Sequence, residues 1–169
     1  MKLGEYFLSE LDREANRSRA VLLHVPADKY DWKPHDKSMQ FGYLSDMVAT
    51  IPSWVAMIVT KDELDIAPKD GSRMKNEPKT TSDALVKALD ASVEAARAAL
   101  KGASEEHFNT PWQLKAGGNV VQAVPRYQAV QDTFSHWVHH RGQMTVYLRL
   151  LGAKVAATYG PSGDEQVFR

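Results

Sequence analysis

The octapeptide HWVHHRGQ at residues 136–143 lies inside the longest stretch of this chain that is suited to a single helix. Pro125 fits a first helical position, and Gly152 supplies a stop signal after a run with no further proline. Within a helix, the four-residue spacing of His136 and His140 places two imidazoles on one face, one turn apart. Two such rings can reach the same divalent ion, so the sequence predicts a metal site.

Other polar side chains share the helical face of the two histidines. At about 100° per residue, Asp132, Gln143 and Tyr147 all lie within about 40° of His136. Asp132 is a candidate ligand, or a group that orients His136, because a ligating imidazole usually donates its other N–H to an acceptor. A solvated helix residue is the structural alternative for Asp132. Gln143 and Tyr147 either line the same cavity or form hydrogen bonds in the interior.

The structural alternative for the pair itself is two histidines at the edge of the core, hydrogen-bonded to neighbouring carbonyls or carboxylates. Trp137, Met144 and Leu148 form an apolar seam beside the pair, so the rings are expected to point between helices. Gly142 in mid-helix costs about 1 kcal/mol relative to alanine. Its presence indicates that another backbone comes close, either within the chain or across a dimer.

Three further helices are predicted from apolar residues at helical spacing. The first runs from Leu3 to about His24, the second from Met39 to about Thr60, and the third from Thr80 to Lys101. Pro52 falls inside the second and should bend it or start a new segment, because proline lacks an amide donor and collides with the preceding turn.

The connecting segments carry little regular pattern. Residues 61–81 are rich in Lys, Asp, Gly and Pro and are expected to form an exposed linker. Residues 112–124, with two glycines at their centre, are compatible with a short hairpin, and residues 153–169 with an irregular segment packed on the helices. The sequence thus predicts an all-α fold, a single antiparallel four-helix bundle over residues 1–169, with at most a β-hairpin before the last helix.

Charge and composition argue against several classes of function. Lysine plus arginine equals aspartate plus glutamate at 21 each, so no global field attracts nucleic acid or anionic lipid. The chain has no cysteine, which removes thiol catalysis and thiolate metal ligation. No glycine-rich phosphate loop indicates a nucleotide cofactor. The longest weakly polar stretch, residues 47–60, is shorter than the roughly 20 residues of a membrane span, and no signal-peptide pattern is present, so a cytoplasmic protein is expected.

Two blocks of the sequence resemble the DinB/YfiT-like superfamily. The C-terminal block consists of residues 139–143, Tyr147 to Arg149, Gly152 and residues 159–165; the upstream block consists of residues 32–38 and Leu44 with residues 51–54. The resemblance implies a four-helix bundle that is often a homodimer. It also implies a divalent metal, commonly nickel or zinc, held by one histidine from helix two and an H-x-x-x-H pair from the last helix. The pair corresponds to His136 and His140.

The chain departs from this family pattern at the third ligand. The helix-two histidine normally stands five residues before the Pro-x-Trp element, and that position is Met47. Asp46 is a poor substitute, because one residue along a helix turns the side chain by about 100°. Three outcomes remain open: the metal is lost; it is held more weakly by His136, His140 and Asp132; or the Met47 thioether joins the histidines in a soft site suited to copper(I).

Two functions follow from these alternatives. The first is a metal-dependent small-molecule enzyme, by analogy with relatives that are thiol transferases or hydrolases, in which the ion lowers the pKa of a bound thiol or water. The second is a non-catalytic member that has lost its metal and binds an unidentified small ligand or serves as a dimeric scaffold; its pocket between helices two and four would be mostly apolar and would bind a hydrophobic molecule or nothing. The sequence does not indicate which substrate or ligand is bound.

Overall fold

The structure of the protein, a computed structural model, describes residues 2–72 and 78–167. The helices are α1 (Leu3–Leu22), α2 (Phe41–Thr50), α3 (Pro52–Thr60), α4 (Ser82–Gly102), α5 (Glu105–Phe108) and α6 (Arg126–Leu150), and the strands are β1 (Glu63–Asp65), β2 (Pro111–Ala116) and β3 (Asn119–Pro125). A single 3-10 turn is formed by Ala27–Lys29. The fold is therefore mostly helical, with one small sheet.

The long helices lie where apolar periodicity predicts them. Helices α1, α4 and α6 agree with the predicted bounds to within two residues at each end. Helix α4 begins where the Thr81 side chain accepts a hydrogen bond from the Ala84 amide at 3.2 Å, a standard N-terminal cap. Helices α4 and α6 each pack against α1, α2 and α3 around one apolar core. Its most deeply buried side chains include Leu11, Leu22, Phe41, Leu44, Ile51, Leu85, Leu89 and Trp137.

Pro52 divides the second predicted helix in two, as its chemistry requires. Helices α2 and α3 meet at a 48° bend, with Pro52 as the first residue of α3. Proline has no N–H, so the carbonyl of Val48 loses the partner that it would have in a continuous helix. The indole Nε1–H of Trp137 donates to this carbonyl at 2.7 Å. Helix α6 thus satisfies the acceptor that the proline leaves open.

We predict that Trp137→Phe lowers the free energy of unfolding by about 1–3 kcal/mol beyond its loss of packing, because a buried carbonyl is left without a donor. In a Pro52→Ala background, the amide of residue 52 can donate to the carbonyl of Val48. Trp137→Phe should therefore lower the free energy of unfolding by less in that background. Urea unfolding of the wild type, both single variants and the double variant measures this coupling. Strictly additive effects would contradict the assignment.

The sheet is larger than the hairpin expected from the sequence. Strands β2 and β3 form the predicted antiparallel hairpin, whose turn places Gly117 and Gly118 at positive φ. Strand β1 adds to it in parallel, pairing with β2. The prediction of an exposed, structureless linker over residues 61–81 is therefore wrong at 63–65; residues 73–77 of that segment lie outside the described part of the chain. Asp65 stabilises the arrangement by accepting hydrogen bonds from the amides of both turn glycines.

Arg126 joins the end of the sheet to the end of α3. Its side chain is 1% exposed and donates to the carbonyls of Ile58 and Lys61 and to the carboxylate of Asp62. The last carbonyls of a helix lack intrahelical donors and carry partial negative charge, so a buried guanidinium is stabilised there. Arg126 thereby holds the start of α6 against α3.

A second buried arginine holds the C-terminal segment against the helices. Arg141 pairs with Glu14 of α1 and donates to the hydroxyl of Tyr159. Burial raises the pKa of Glu14, but the pairing with Arg141, together with Tyr159 and Arg17, outweighs it and holds that pKa below its usual value. As predicted, the segment after α6 is irregular and packs back on the helices, as far as residue 167.

Two glycines of the helices differ in what surrounds them. A Cβ added at Gly42 would collide with the ring of Tyr30, whereas one added at Gly142 meets nothing of the described chain within 4 Å. Among the described residues, therefore, no backbone of the same chain comes close to Gly142 on this side, and the expectation of an approach across a dimer stays a prediction. The Tyr30 hydroxyl donates to Asp46 at 2.9 Å, and burial, followed by that bond, raises the pKa of Tyr30 to about 12.

We predict opposite effects for alanine at these two glycines. Gly42→Ala should displace the Tyr30 ring from Asp46 and lower the free energy of unfolding by about 1–3 kcal/mol. Gly142→Ala should raise it by up to about 1 kcal/mol, because alanine favours the helix and its methyl group meets open space. Denaturant titration of the two variants is the measurement; stabilisation by Gly42→Ala would contradict the steric argument.

No single helix among the described residues combines the length and the apolar character needed to cross a membrane. Helices α2 and α3 reach that combination only when taken together across their bend.

Candidate functional site

The two histidines of α6 converge as their spacing predicts. The Nε2 atoms of His136 and His140 lie 2.6 Å apart, with the ring centroids at 4.5 Å. His140 is 4% exposed, and His136 is partly buried. Both rings therefore direct a nitrogen toward one point beside the core.

The hydrogen bond with Gln143 determines which ring nitrogen of each histidine carries the proton. The Nδ1 of His140 lies 2.7 Å from Oε1 of Gln143, and since an amide oxygen only accepts, Nδ1 carries the proton. A neutral His140 then has a lone pair at Nε2, which accepts a hydrogen bond from the Nε2–H of His136. The result is a short relay from His136 to His140 to Gln143.

The surroundings favour the neutral form of both histidines. Burial lowers the pKa of His136 below its usual value, and positive charge on His140 or His139 would lower it further. Burial also lowers the pKa of His140; the hydrogen bond with Gln143 partly opposes this effect, and His139 adds to it. Neutral imidazoles are the form that binds metal ions.

A cavity adjoins His136, and its walls come from α3, the sheet and α6. We call it the α3–α6 cavity; its volume is about 300 Å³. The ring of Trp54 packs edge-on against His136 with 5.4 Å between centroids. The described lining residues are Trp54, Met57, Ile58, Leu64, Ile66, Trp112, Leu114, Gln122, Ala129, Asp132, Thr133 and His136. Most of these side chains are apolar, so the cavity suits an apolar molecule.

The other predicted site residues take different places. Asp132 is exposed and lines the α3–α6 cavity together with His136. Met47 is buried in the core of α2, at 9% exposure. Asp46 accepts hydrogen bonds from the Tyr30 hydroxyl and from the Lys79 amide, so both of its carboxylate oxygens already have donors.

Tyr147 belongs to an aromatic cluster and is not among the residues that line the cavity. Its ring meets that of Trp32 edge-on, with centroids 5.7 Å apart, and lies nearly parallel to that of Phe41 at 6.3 Å. The alternative in which Tyr147 is an interior packing residue is the one that its contacts favour. Gln143, by contrast, contacts the histidine pair directly.

The donor set fits only part of the metal site that the sequence resemblance implies. Two nitrogen ligands on one tetrahedral ion stand about 3.3 Å apart at bond lengths of about 2.0–2.1 Å, so the rings need to open by less than 1 Å. Within residues 2–72 and 78–167, however, no three side chains of His, Cys, Asp or Glu are grouped closely enough to hold an ion. Asp132 therefore does not form such a group with the pair. A complete three-histidine site does not fit this chain.

The sequence predicts a mostly apolar pocket between helices two and four, and the α3–α6 cavity lies there, but the sequence does not indicate that Trp112 is part of its wall. Trp112 is 4% exposed, and its indole Nε1 is buried without a hydrogen-bond partner. The sequence around residue 112 predicts a strand, but no local pattern indicates that Trp112 lines a cavity with residues of α3 and α6. In the sequence, Trp54 is distinguished only as part of the Pro-x-Trp element.

The family follows from comparison of the whole chain with known proteins. The model of the DinB family matches residues 1–166. The chain belongs to the DinB family. Two solved structures are similar to it. A DinB-like protein from Bacillus subtilis has 17% identity and a TM-score of 0.69, over 96% of this chain and 99% of that one. A DinB-like protein from Bacillus cereus has 20% identity and a TM-score of 0.70, over 92% and 97%.

The similarity between this chain and the two solved structures is a similarity of fold. At such identities they carry no reaction or ligand to this DinB-family chain. No curated protein matches it. The chemistry of the site must therefore be argued from the histidine pair and its surroundings.

We predict that the histidine pair makes stability depend on pH. Both pKa values are lowered in the folded state, so below about 6.5 the unfolded chain binds more protons than the folded one. The free energy of unfolding should fall as the pH decreases from about 7.5 to about 5.5. Urea titrations at several pH values measure this, and the double variant His136→Asn with His140→Asn should show a smaller decrease.

The matched control is His35→Asn, since His35 is exposed in the loop before α2 and lies outside the pair. This variant should keep the pH dependence of the wild type. Equal slopes for the wild type and the double variant would show that the pair does not contribute.

Proposed function

We propose that this DinB-family protein acts on small molecules through a degenerate metal site at His136 and His140, which takes nickel or zinc weakly. The convergence of the two Nε2 atoms at 2.6 Å, with His140 oriented by Gln143, is the observation that supports it. An oriented imidazole that donates its far N–H to a carbonyl-type oxygen is the usual support of a metal ligand. The reaction class is that of a transferase or hydrolase acting on small substrates such as thiols.

The proposal also includes a four-helix bundle and a homodimer. We propose that α1, α2–α3, α4 and α6 form the four-helix bundle expected from the sequence, with α2 and α3 counted as one helix bent at Pro52. A homodimer would cover part of the exposed face of α6, where Val146 is 57% and Leu150 is 61% exposed. Apolar side chains at such exposure are typical of a surface that another molecule can cover.

A second candidate function is a ligand-binding member that no longer uses metal. Met47 supports it, because this side chain lies in the apolar core at the position where the family pattern has a histidine. The α3–α6 cavity supports it as well, since it offers an apolar volume beside the pair without needing an ion. The two candidates differ in whether metal is bound at all.

We predict that Met47→His raises the affinity for nickel or zinc by roughly tenfold or more, because a third nitrogen donor joins the pair. Isothermal titration of tag-free protein with each ion measures the change. Met47→Leu is the matched control and should leave nickel and zinc affinity as in the wild type. Adding His140→Asn to Met47→His should abolish the gain.

The same titrations separate the candidate functions. Substoichiometric nickel or zinc in wild-type protein, rising to one equivalent in Met47→His, supports a degenerate site. One tightly held equivalent in the wild type would contradict loss of the metal, and no binding above buffer would favour the metal-free ligand binder. Copper(I) affinity that falls in Met47→Leu would instead indicate a soft site that includes the thioether.

A further inference from the structure

The α3–α6 cavity has one charged side chain in its wall. Among the described residues that line it, Asp132 is the only acid, and no lysine or arginine is present. Residues 2–72 and 78–167 form no hydrogen bond or ion pair with the carboxylate of Asp132. His136 is the other ionisable side chain of the lining, and burial lowers its pKa and favours the neutral ring. A mostly apolar wall therefore carries one negative charge without a partner.

The geometry of α6 places Asp132 on the helix face that borders the cavity. Ala129, Asp132, Thr133 and His136 all line the cavity, and their spacing of three or four residues puts them on one face of the helix. Side chains of a helix lean toward its N-terminus, so Asp132 lies over the turn that contains Ala129. Asp132 is also exposed, so its carboxylate lies where the cavity meets solvent. A molecule in the cavity can therefore reach this carboxylate.

Two cations next to the wall in the sequence already have acidic partners. Lys115, which follows the lining residue Leu114 in β2, pairs with Glu63. Arg126, at the start of α6, is buried and pairs with Asp62. Each of these cations is neutralised by another acid, so neither compensates the carboxylate in the wall. A positively charged ligand would supply the missing counter-ion.

The rest of the wall suits the apolar part of a small molecule. Trp54, Met57 and Leu114 present aromatic, thioether and aliphatic surface. A cavity of about 150 Å³ accepts benzene, so one of about 300 Å³ has room for an aromatic ring with a short chain. Because a charged group is costly to bury among apolar side chains, the charged end of such a molecule would stay beside Asp132.

We propose that the α3–α6 cavity binds a small monoamine, with its apolar body against α3 and the sheet and its ammonium group beside the carboxylate of Asp132. An anion of the same size is disfavoured, because it would meet this carboxylate without a counter-ion. A neutral molecule of the same shape makes the apolar contacts but gains no ion pair. This inference rests on the ligand-binding candidate of the proposed function, names the class of ligand and needs no metal ion.

Three phenyl compounds with the same two-carbon chain form a matched set of probes. Phenethylamine, phenethyl alcohol and hydrocinnamate end in an ammonium, a hydroxyl and a carboxylate group. At about pH 7.5 and low salt the amine is charged. It should bind wild-type protein about two- to fivefold more tightly than the alcohol, the gain that one exposed ion pair confers, and hydrocinnamate should bind most weakly. Nuclear magnetic resonance titration of chelator-treated protein measures the three dissociation constants.

Asp132→Asn removes the charge and keeps the shape of the side chain, so phenethylamine and phenethyl alcohol should bind this variant equally. Asp36→Asn is the matched control, because it makes the same change in net charge at a fully exposed side chain in the loop before α2. This control should keep the preference of the wild type for the amine. Sodium chloride at about 0.5 M should reduce that preference, because salt screens exposed charges. A preference that persists in Asp132→Asn would contradict the role of the carboxylate.

The resonances of the Trp54 ring locate the bound molecule without a change to the cavity. A phenyl ring that packs against Trp54 should shift these resonances, and those that disappear in Trp54→Phe identify them. The resonances of Trp137, which is buried and not among the lining residues, should stay in place. Ala129→Leu, which adds side-chain volume to the wall from α6, should weaken the binding of all three probes. Binding that leaves Trp54 unchanged would overturn the location.

The outcomes separate this inference from the proposed function. Equal binding of the three probes, with shifts at Trp54, would overturn the selection of an amine while leaving a ligand site. Absence of binding by all three would overturn the amine and the ligand-binding candidate together. Neither result changes the nickel and zinc titrations of the histidine pair, which test the metal-dependent function separately.

Discussion

The hydrogen bond from Trp137 to the carbonyl of Val48 is the contact on which the geometry of the site depends. Pro52 causes the 48° bend and leaves the carbonyl of Val48 without its helical donor. The indole N–H of Trp137 replaces that donor, so the buried carbonyl keeps a hydrogen bond. The bend directs α3, and with it Trp54, against the ring of His136. Because Trp137 follows His136 directly in α6, one contact sets the position of the histidine face relative to both halves of the bent helix.

Two buried arginines fix the start and the later part of α6 to neighbouring elements. Arg126 fixes its start to the last turn of α3, and Arg141 fixes its later part to Glu14 of α1 and to Tyr159. A buried guanidinium is stabilised only where several acceptors surround it, so each arginine selects one arrangement of its neighbours. The histidine pair lies between these two anchors. The strongest motifs of the C-terminal block, including Arg141 and Tyr159, thus have structural roles beside the site rather than chemical roles within it.

Local signals predicted much of this molecule, and contacts between distant residues account for the rest. The helix of residues 126–150, the break at Pro52 and the convergence of His136 with His140 all depend on spacings of a few residues, which a sequence displays directly. Strand β1 has only three residues and no periodicity of its own, and it exists through its pairing with β2 and the bonds of Asp65. The α3–α6 cavity is lined by residues as far apart in sequence as Trp54 and His136, so the sequence predicts a pocket between the two helices but not the wall that Trp112 adds.

The two histidines and Gln143 form hydrogen bonds with one another that do not require an ion. In the relay from His136 to His140 to Gln143, the protons that the rings carry already have acceptors at 2.6 and 2.7 Å. An ion that binds both Nε2 atoms must break the first of these bonds, and the proton of the neutral His136 ring must move from Nε2 to Nδ1. Two nitrogen ligands have to offset that cost unaided, whereas zinc sites in proteins usually have three or four protein ligands. The hydrogen bonds of the pair therefore oppose metal binding, and Met47, which is buried in the core, offers no nitrogen donor at the position where the family resemblance implies a histidine.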